Sequence, residues 1–111
     1  MAIDEPAGRP GFRPLHPGAV LKHDLAALGI TQENFAAHIN VSRQTISAII
    51  AGRSKLSAEL AAKISRSIGG STLFWLNLQI AHDAWAADRE PEVRLIRRVK
   101  AVKAGRRLVA A

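Results

Sequence analysis

The sequence has no cysteine, so neither a disulfide framework nor a thiolate zinc site can hold its fold, and a cytoplasmic setting is expected. Long apolar runs are missing too. Although 48% of the 111 residues are hydrophobic, no uninterrupted stretch approaches the ~20 residues that span a bilayer, and no membrane association is expected. The first fifteen residues, MAIDEPAGRPGFRPL, lack an apolar core between a basic start and a small-residue cleavage site, so no secretory leader is expected. There is no strand-like alternation, no repeat of fixed period, no glycine-rich phosphate loop and no Gly-x-Ser-x-Gly elbow. The carboxylates are few and scattered, which argues against an enzyme and against a cofactor. Of the histidines His16, His23, His38 and His82, none is paired at the i+3 or i+4 spacing that puts two metal ligands on one helix face.

What is present is positive charge, unevenly spread. Sixteen Lys and Arg against nine Asp and Glu give a formal charge of +7. Eight of those basic residues lie from Arg89 onward, opposed only by Glu90 and Glu92, which leaves +6 on that segment. Eight basic and seven acidic residues before it leave +1. Any nucleic-acid affinity of the central part must therefore come from local placement of its cations, with the tail adding nonspecific attraction.

The chain divides into three. Residues 1–14, rich in Pro and Gly, read as a flexible arm in which Phe12, with the adjacent Leu15, would supply apolar contacts on ordering. Residues 15–88 read as an all-α unit of five short helices, each marked by its caps. Pro17 and Gly29 bracket the first, with Val20, Leu21, Leu25 and Leu28 at helical spacing. Thr31 and Asn40 bracket the second, which turns Phe35, Ala36 and Ile39 inward. Ser42 and Gly52 bracket the third, with Ile46, Ile49 and Ile50 on one face; Ser57 and Gly69-Gly70 bracket the fourth. The fifth, from about Thr72 to Ala87, carries two apolar lines: Leu73, Leu76, Ile80, Ala84 and Phe74, Leu78, Ala81, Trp85. A helix apolar on two sides in so small a unit predicts self-association, and the second line is the predicted dimer face. Residues 89–111 form a basic amphipathic tail, helical with Leu95, Ile96, Val99 and Val102 on one side or disordered, and either ordering on a partner or remaining disordered without function.

The turn Ile39-Asn40-Val41-Ser42 has the length that sets two helices at a steep angle, a helix-turn-helix by spacing. Its second helix opens with Arg43, Gln44 and Thr45, followed by Ser47. These supply a bidentate donor, an amide able to match adenine and a methyl-bearing hydroxyl, the chemistry of major-groove base edges. No acidic residue occurs between Glu33 and Glu59. Arg43, Gln44, Thr45 and Ser47 are therefore the candidate base contacts in double-stranded DNA. Gln32, Ser42, Arg53, Ser54 and Lys55, which bracket them, are the candidate phosphate contacts.

The stretch ITQENFAAHINVSRQTISAIIAGRSKLSAELAAKISRSIGGS resembles the Cro/repressor-like (XRE) helix-turn-helix class. Its flanks, HPGAVLKHDLAALGI and STLFWLNLQIAHDAW, narrow the likeness to HigA-type antitoxins, over roughly residues 15–87. That resemblance implies a homodimer that sequesters a HigB-like, mRNA-cleaving toxin of the RelE type and represses its own operon. It also implies two recognition helices set to half-sites ~34 Å apart. Asn40 departs from the glycine common at that turn, a residue that tolerates the left-handed conformation. The tail beyond Arg89 lies outside the likeness. Two alternatives remain open from sequence: a stand-alone repressor with no toxin, and a protein-interaction adaptor that does not bind DNA.

Overall fold

The computed structural model describes residues 13–100. Among them the fold is all-α, with six helices: α1 (Pro17–Leu28), α2 (Gln32–His38), α3 (Arg43–Ile50), α4 (Ala58–Ile68), α5 (Thr72–Asp88) and α6 (Pro91–Arg94). No helix among the described residues is long and apolar enough to cross a membrane. Residues 1–12 of the predicted arm, Phe12 included, and the end of the predicted tail, Val102 included, lie outside the described residues.

Each of α1 to α5 starts where a side chain accepts an otherwise orphaned backbone N–H, whereas α6 has no side-chain cap. Thr31, Ser42, Ser57 and Ser71 cap α2 to α5 through hydroxyls that accept from Asn34, Thr45, Leu60 and Phe74 at 2.9–3.1 Å, each worth ~1 kcal/mol. The first helix departs from this pattern, because its cap is His16, whose Nδ1 accepts from the Gly18 N–H at 2.9 Å. Gly29 ends α1 in the left-handed region at φ 70°.

The capped helices close on one core. Leu21 and Leu25 of α1, Phe35 and Ala36 of α2, Ile46 and Ile49 of α3, and Leu60, Ala61 and Ile64 of α4 are buried, with Trp75 of α5 completing the cluster. Leu28 departs from its predicted place on the apolar stripe of α1 and is 56% exposed. The approach of α1 to α3 is set by Gly18: a Cβ there would lie 2.8 Å from the Ile49 carbonyl carbon and 2.9 Å from Ile50 Cα, closer still to the Ile49 oxygen. No side chain fits in that crossing.

The core-facing side of α5 is neither of its two predicted apolar lines. Trp75 and Gln79, one turn apart, are buried at 1% and 5% exposure. The Trp75 indole donates to the Gly69 carbonyl at 3.0 Å, which fixes the α4–α5 corner. Leu73 and Ile80 of the first line are 63% and 60% exposed. The second line runs along the flank: Phe74 is exposed, Leu78 packs against the core of its own chain, and Ala81 and Trp85 are half-buried. The tail begins with the single turn of α6 and has no regular structure over residues 96–100. Leu95, Ile96 and Val99 are exposed. They have periodicity but no surface to cover, and an unpacked helix this short is marginal in water.

Candidate nucleic-acid interface

The turn between α2 and α3 is built by local chemistry. Asn40 takes φ 61°, so the Val41 N–H can reach back to the Ala36 carbonyl at 2.9 Å. Ser42 then starts α3, and burial of Ile46 and Ile49 at 0% and 1% exposure fixes the rotation of that helix on the core. Arg43 and Gln44, at its N-terminal end, are thereby turned outward.

Arg43 and Gln44 are exposed at the first turn, and among the described residues no acid pairs with the Arg43 guanidinium. Ser47 is half-buried beside them and donates its hydroxyl to Gln32 Oε1 at 2.8 Å. One candidate base contact is thus tied to one candidate phosphate contact, and the Gln32 NH2 is left as the donor end of that amide. Thr45 lies on the opposite flank, half-buried toward α4, with its hydroxyl 2.8 Å from that of Ser42. In such a hydroxyl pair one proton is consumed and one is left over. Ala48 escapes the sequence reading. It stands one turn after Gln44 on the same stripe, and the spacing i, i+4 is the signal that could have found it. Ala48 is half-buried.

The loop after α3 is held as firmly as the helix. The Ala48 carbonyl accepts from the Arg53 and Ser54 N–H groups at 2.8 and 3.2 Å. The buried Leu56 N–H donates to Gln79 Oε1 at 3.0 Å, and Gln79 Nε2 donates in turn to Asp83 at 2.9 Å. Lys55 extends to the same Asp83 at 3.6 Å, with its side chain 73% exposed. Arg53 is exposed, Ser54 half-buried. Gln79 likewise escapes the sequence reading; a glutamine on a helix carries no signal that it will be buried 23 residues from its partner.

A second cluster gathers at the far end of α5. His16 and His82 meet edge to face with centroids 4.9 Å apart. Burial, and next the neighbouring His82, hold His16 below its ordinary value, with Asp83 acting in the opposite sense. The Arg13 and Arg89 guanidinium groups lie 5.4 and 4.3 Å from the Trp85 ring centroid. No group of His, Asp or Glu among the described residues is arranged to hold a metal ion.

A short capped helix, a left-handed turn and a second helix whose polar N-terminal end projects from a rigid core define a helix-turn-helix DNA-binding unit. The helix-turn-helix family pattern matches residues 21–76. The chain belongs to that family, in its XRE branch, among whose members are HigA antitoxins. It is 39% identical over 74 residues to antitoxin HigA-1 of Vibrio cholerae, covering 66% of this chain and 70% of that protein. An uncharacterized HTH-type transcriptional regulator of Escherichia coli, YddM, is 32% identical over 83 residues, covering 75% of this chain and 88% of the regulator. Among solved structures, Pseudomonas aeruginosa antitoxin HigA with the higBA promoter superimposes with a TM-score of 0.66 at 30% identity, over 77% of this chain and 97% of that one.

Proposed function

We infer that this chain is a sequence-specific DNA-binding antitoxin of the HigBA type: a dimer that represses its own toxin–antitoxin operon and neutralises a RelE-like, mRNA-cleaving toxin. The observation that carries the DNA reading is the exposed, acid-free first turn of α3. Arg43 and Gln44 stand free there, over a helix whose rotation is fixed by Ile46 and Ile49. In this reading Arg43 and Gln44 meet base edges, Ala48 offers a methyl to thymine, and Thr45 and Ser47 contact the rim of the groove. Gln32, Ser42, Arg53 and Ser54 meet phosphates, and Lys55 does so by exchanging Asp83 for the duplex. The dimer uses α5, where exposed Phe74 adjoins half-buried Ala81 and Trp85, with Leu78 beneath them. The likeness to HigA antitoxins supports the toxin-neutralising role.

Two substitutions separate the assigned roles. Arg43→Ala is expected to cost ~1–3 kcal/mol on promoter duplex and to relax preference at one base pair; Arg53→Ala is expected to weaken promoter and scrambled duplex alike. Equal losses on both duplexes for both variants refute the division. Co-expression with the product of the adjacent reading frame tests the antitoxin role. Promoter binding without a co-purifying toxin favours a stand-alone repressor, the reading that the likeness to YddM supports. Absence of salt-sensitive promoter binding favours the interaction adaptor.

A further inference from the structure

The charge on the tail is left without a role by the recognition helix. From Val93 to Lys100 the chain is exposed throughout and carries Arg94, Arg97, Arg98 and Lys100 with no acidic residue among them, Glu90 and Glu92 lying just before it. Where this segment departs from the domain decides what it can reach. Glu90, the residue that starts α6, lines one cavity of about 370 Å³ together with Gly52, Arg53 and Lys55 of the loop after α3. The tail therefore leaves the domain beside the loop already assigned to the phosphate backbone. Just before α6, the Arg89 guanidinium lies on Trp85 of the preceding helical turn, with Nη1 3.5 Å from the Trp85 carbonyl.

We propose that residues 94–100 are a second phosphate-binding element, which runs from the Arg53 loop along the DNA backbone next to the operator half-site. This rests on the DNA-binding reading above. The single turn of α6 advances ~6 Å, and the six residues after it extend ~20 Å. Each strand of duplex DNA presents one phosphate per ~3.4 Å of axis, so the segment passes about six phosphates of the strand it follows. Four cations without an acid fit that target. A protein groove would instead ask for apolar side chains gathered on one formed face, and Leu95, Ile96 and Val99 are exposed on a segment that has no helix beyond its first turn. The element grips without reading sequence, because phosphates carry none.

The test is fluorescence anisotropy of the full chain on its promoter duplex and on a scrambled duplex between 50 and 200 mM salt, beside R94Q/R97Q/R98Q/K100Q. Releasing one phosphate from the protein lowers the log–log salt slope by ~0.9, or about 3.5-fold in affinity across that fourfold range; four phosphates amount to about 150-fold. The expected result is a slope shallower by ~1 to 3.6 with the promoter-to-scrambled ratio held within about twofold. A parent-like slope overturns the proposal, as does a changed ratio. A companion variant, L95S/I96S/V99S, is expected to keep the parent slope. If it abolishes co-purification of a partner protein while the charge variant keeps the parent slope, the tail docks on protein and the proposal fails. Failure of the parent chain itself to bind the promoter is a different result, which overturns the function proposed above.

Discussion

Gly18→Ala puts a methyl group where α1 crosses α3. The added carbon would sit 2.8 Å from the Ile49 carbonyl carbon and 2.9 Å from Ile50 Cα, where ordinary contact begins at 3.4 Å. The obstacle is backbone and cannot rotate away, and the Ile49 carbonyl oxygen lies closest of all, so the two helices must part by about an ångström or more, which forfeits about half of the dispersion energy between the atoms at the crossing. Overpacking of this kind costs ~1–3 kcal/mol, at the upper end where backbone blocks backbone. Alanine's better helix propensity returns ~0.5–1 kcal/mol. A net loss of ~2 kcal/mol in a domain of this size lowers Tm by about 8–16 °C. Because the displaced element is the recognition helix, promoter affinity should fall at temperatures where the variant is still folded. Circular dichroism melts and anisotropy titrations at low temperature, about 15 °C, where stability is near its maximum, measure the two effects. Gly29→Ala is the comparison: its Cβ would meet nothing, and only the left-handed φ of 70° penalises it, by ~1–2 kcal/mol, with promoter affinity unchanged. A Gly18→Ala protein that melts within about 2 °C of the parent refutes the reasoning about this crossing.

Other substitutions probe the supports around it. Gln79→Leu leaves the buried Leu56 N–H without its acceptor and should cost ~1–3 kcal/mol in urea melts, whereas a surface change such as Asn77→Leu should leave the midpoint in place. Ser47→Ala frees Gln32 and should lower promoter affinity while costing ~0.5–1.5 kcal/mol of stability; undiminished affinity would detach Gln32 from the interface. His16 is held below its ordinary value of 6.5, and its Nδ1 caps α1 only as the neutral ring. The folded state therefore binds this proton less readily than the unfolded chain. The stabilising contribution is complete above the unfolded value near 6.5 and is lost as pH falls from there toward the lower folded value. His16→Asn keeps a capping oxygen without a proton to gain, so its Tm should vary less between pH 7 and pH 5 than the parent's; an equal variation would assign the acid sensitivity elsewhere.

How much of this is legible in sequence depends on how far apart the interacting residues lie. Thr31, Ser42, Ser57, Gly29 and Asn40 act on backbone within a few positions, and the helices begin and end where those residues place them. The outward turn Arg43–Gln44 is legible for the same reason, since Ile46 and Ile49 set its direction from the same helix. Helix α5 is not. It is apolar on nearly every side, so periodicity cannot choose its buried face; the choice is made by Trp75 filling the corner against α4 and by Gln79 satisfying Leu56. The His16–His82 pair joins residues 66 positions apart, which no local pattern encodes. In the tail the helical period is present, and a surface to bury it is not.

The burial of Gln79 also links the two halves of the proposed function. One amide accepts from Leu56, at the end of the loop carrying Arg53 and Lys55, and donates to Asp83, the partner of Lys55. The same helix exposes Leu73, Phe74 and Ile80 on its other sides. A dimer joined through α5 would therefore place each recognition loop by a rigid path: partner to α5, α5 to Gln79, Gln79 to the α3–α4 loop. Half-sites one turn apart, ~34 Å, demand that such a path not bend, because an error of a few ångströms at either reading head removes base contacts while leaving phosphates within reach. Gln79→Leu should thus lower the affinity of a dimer for its promoter more than its affinity for scrambled duplex, although Gln79 lies in the interior and touches neither.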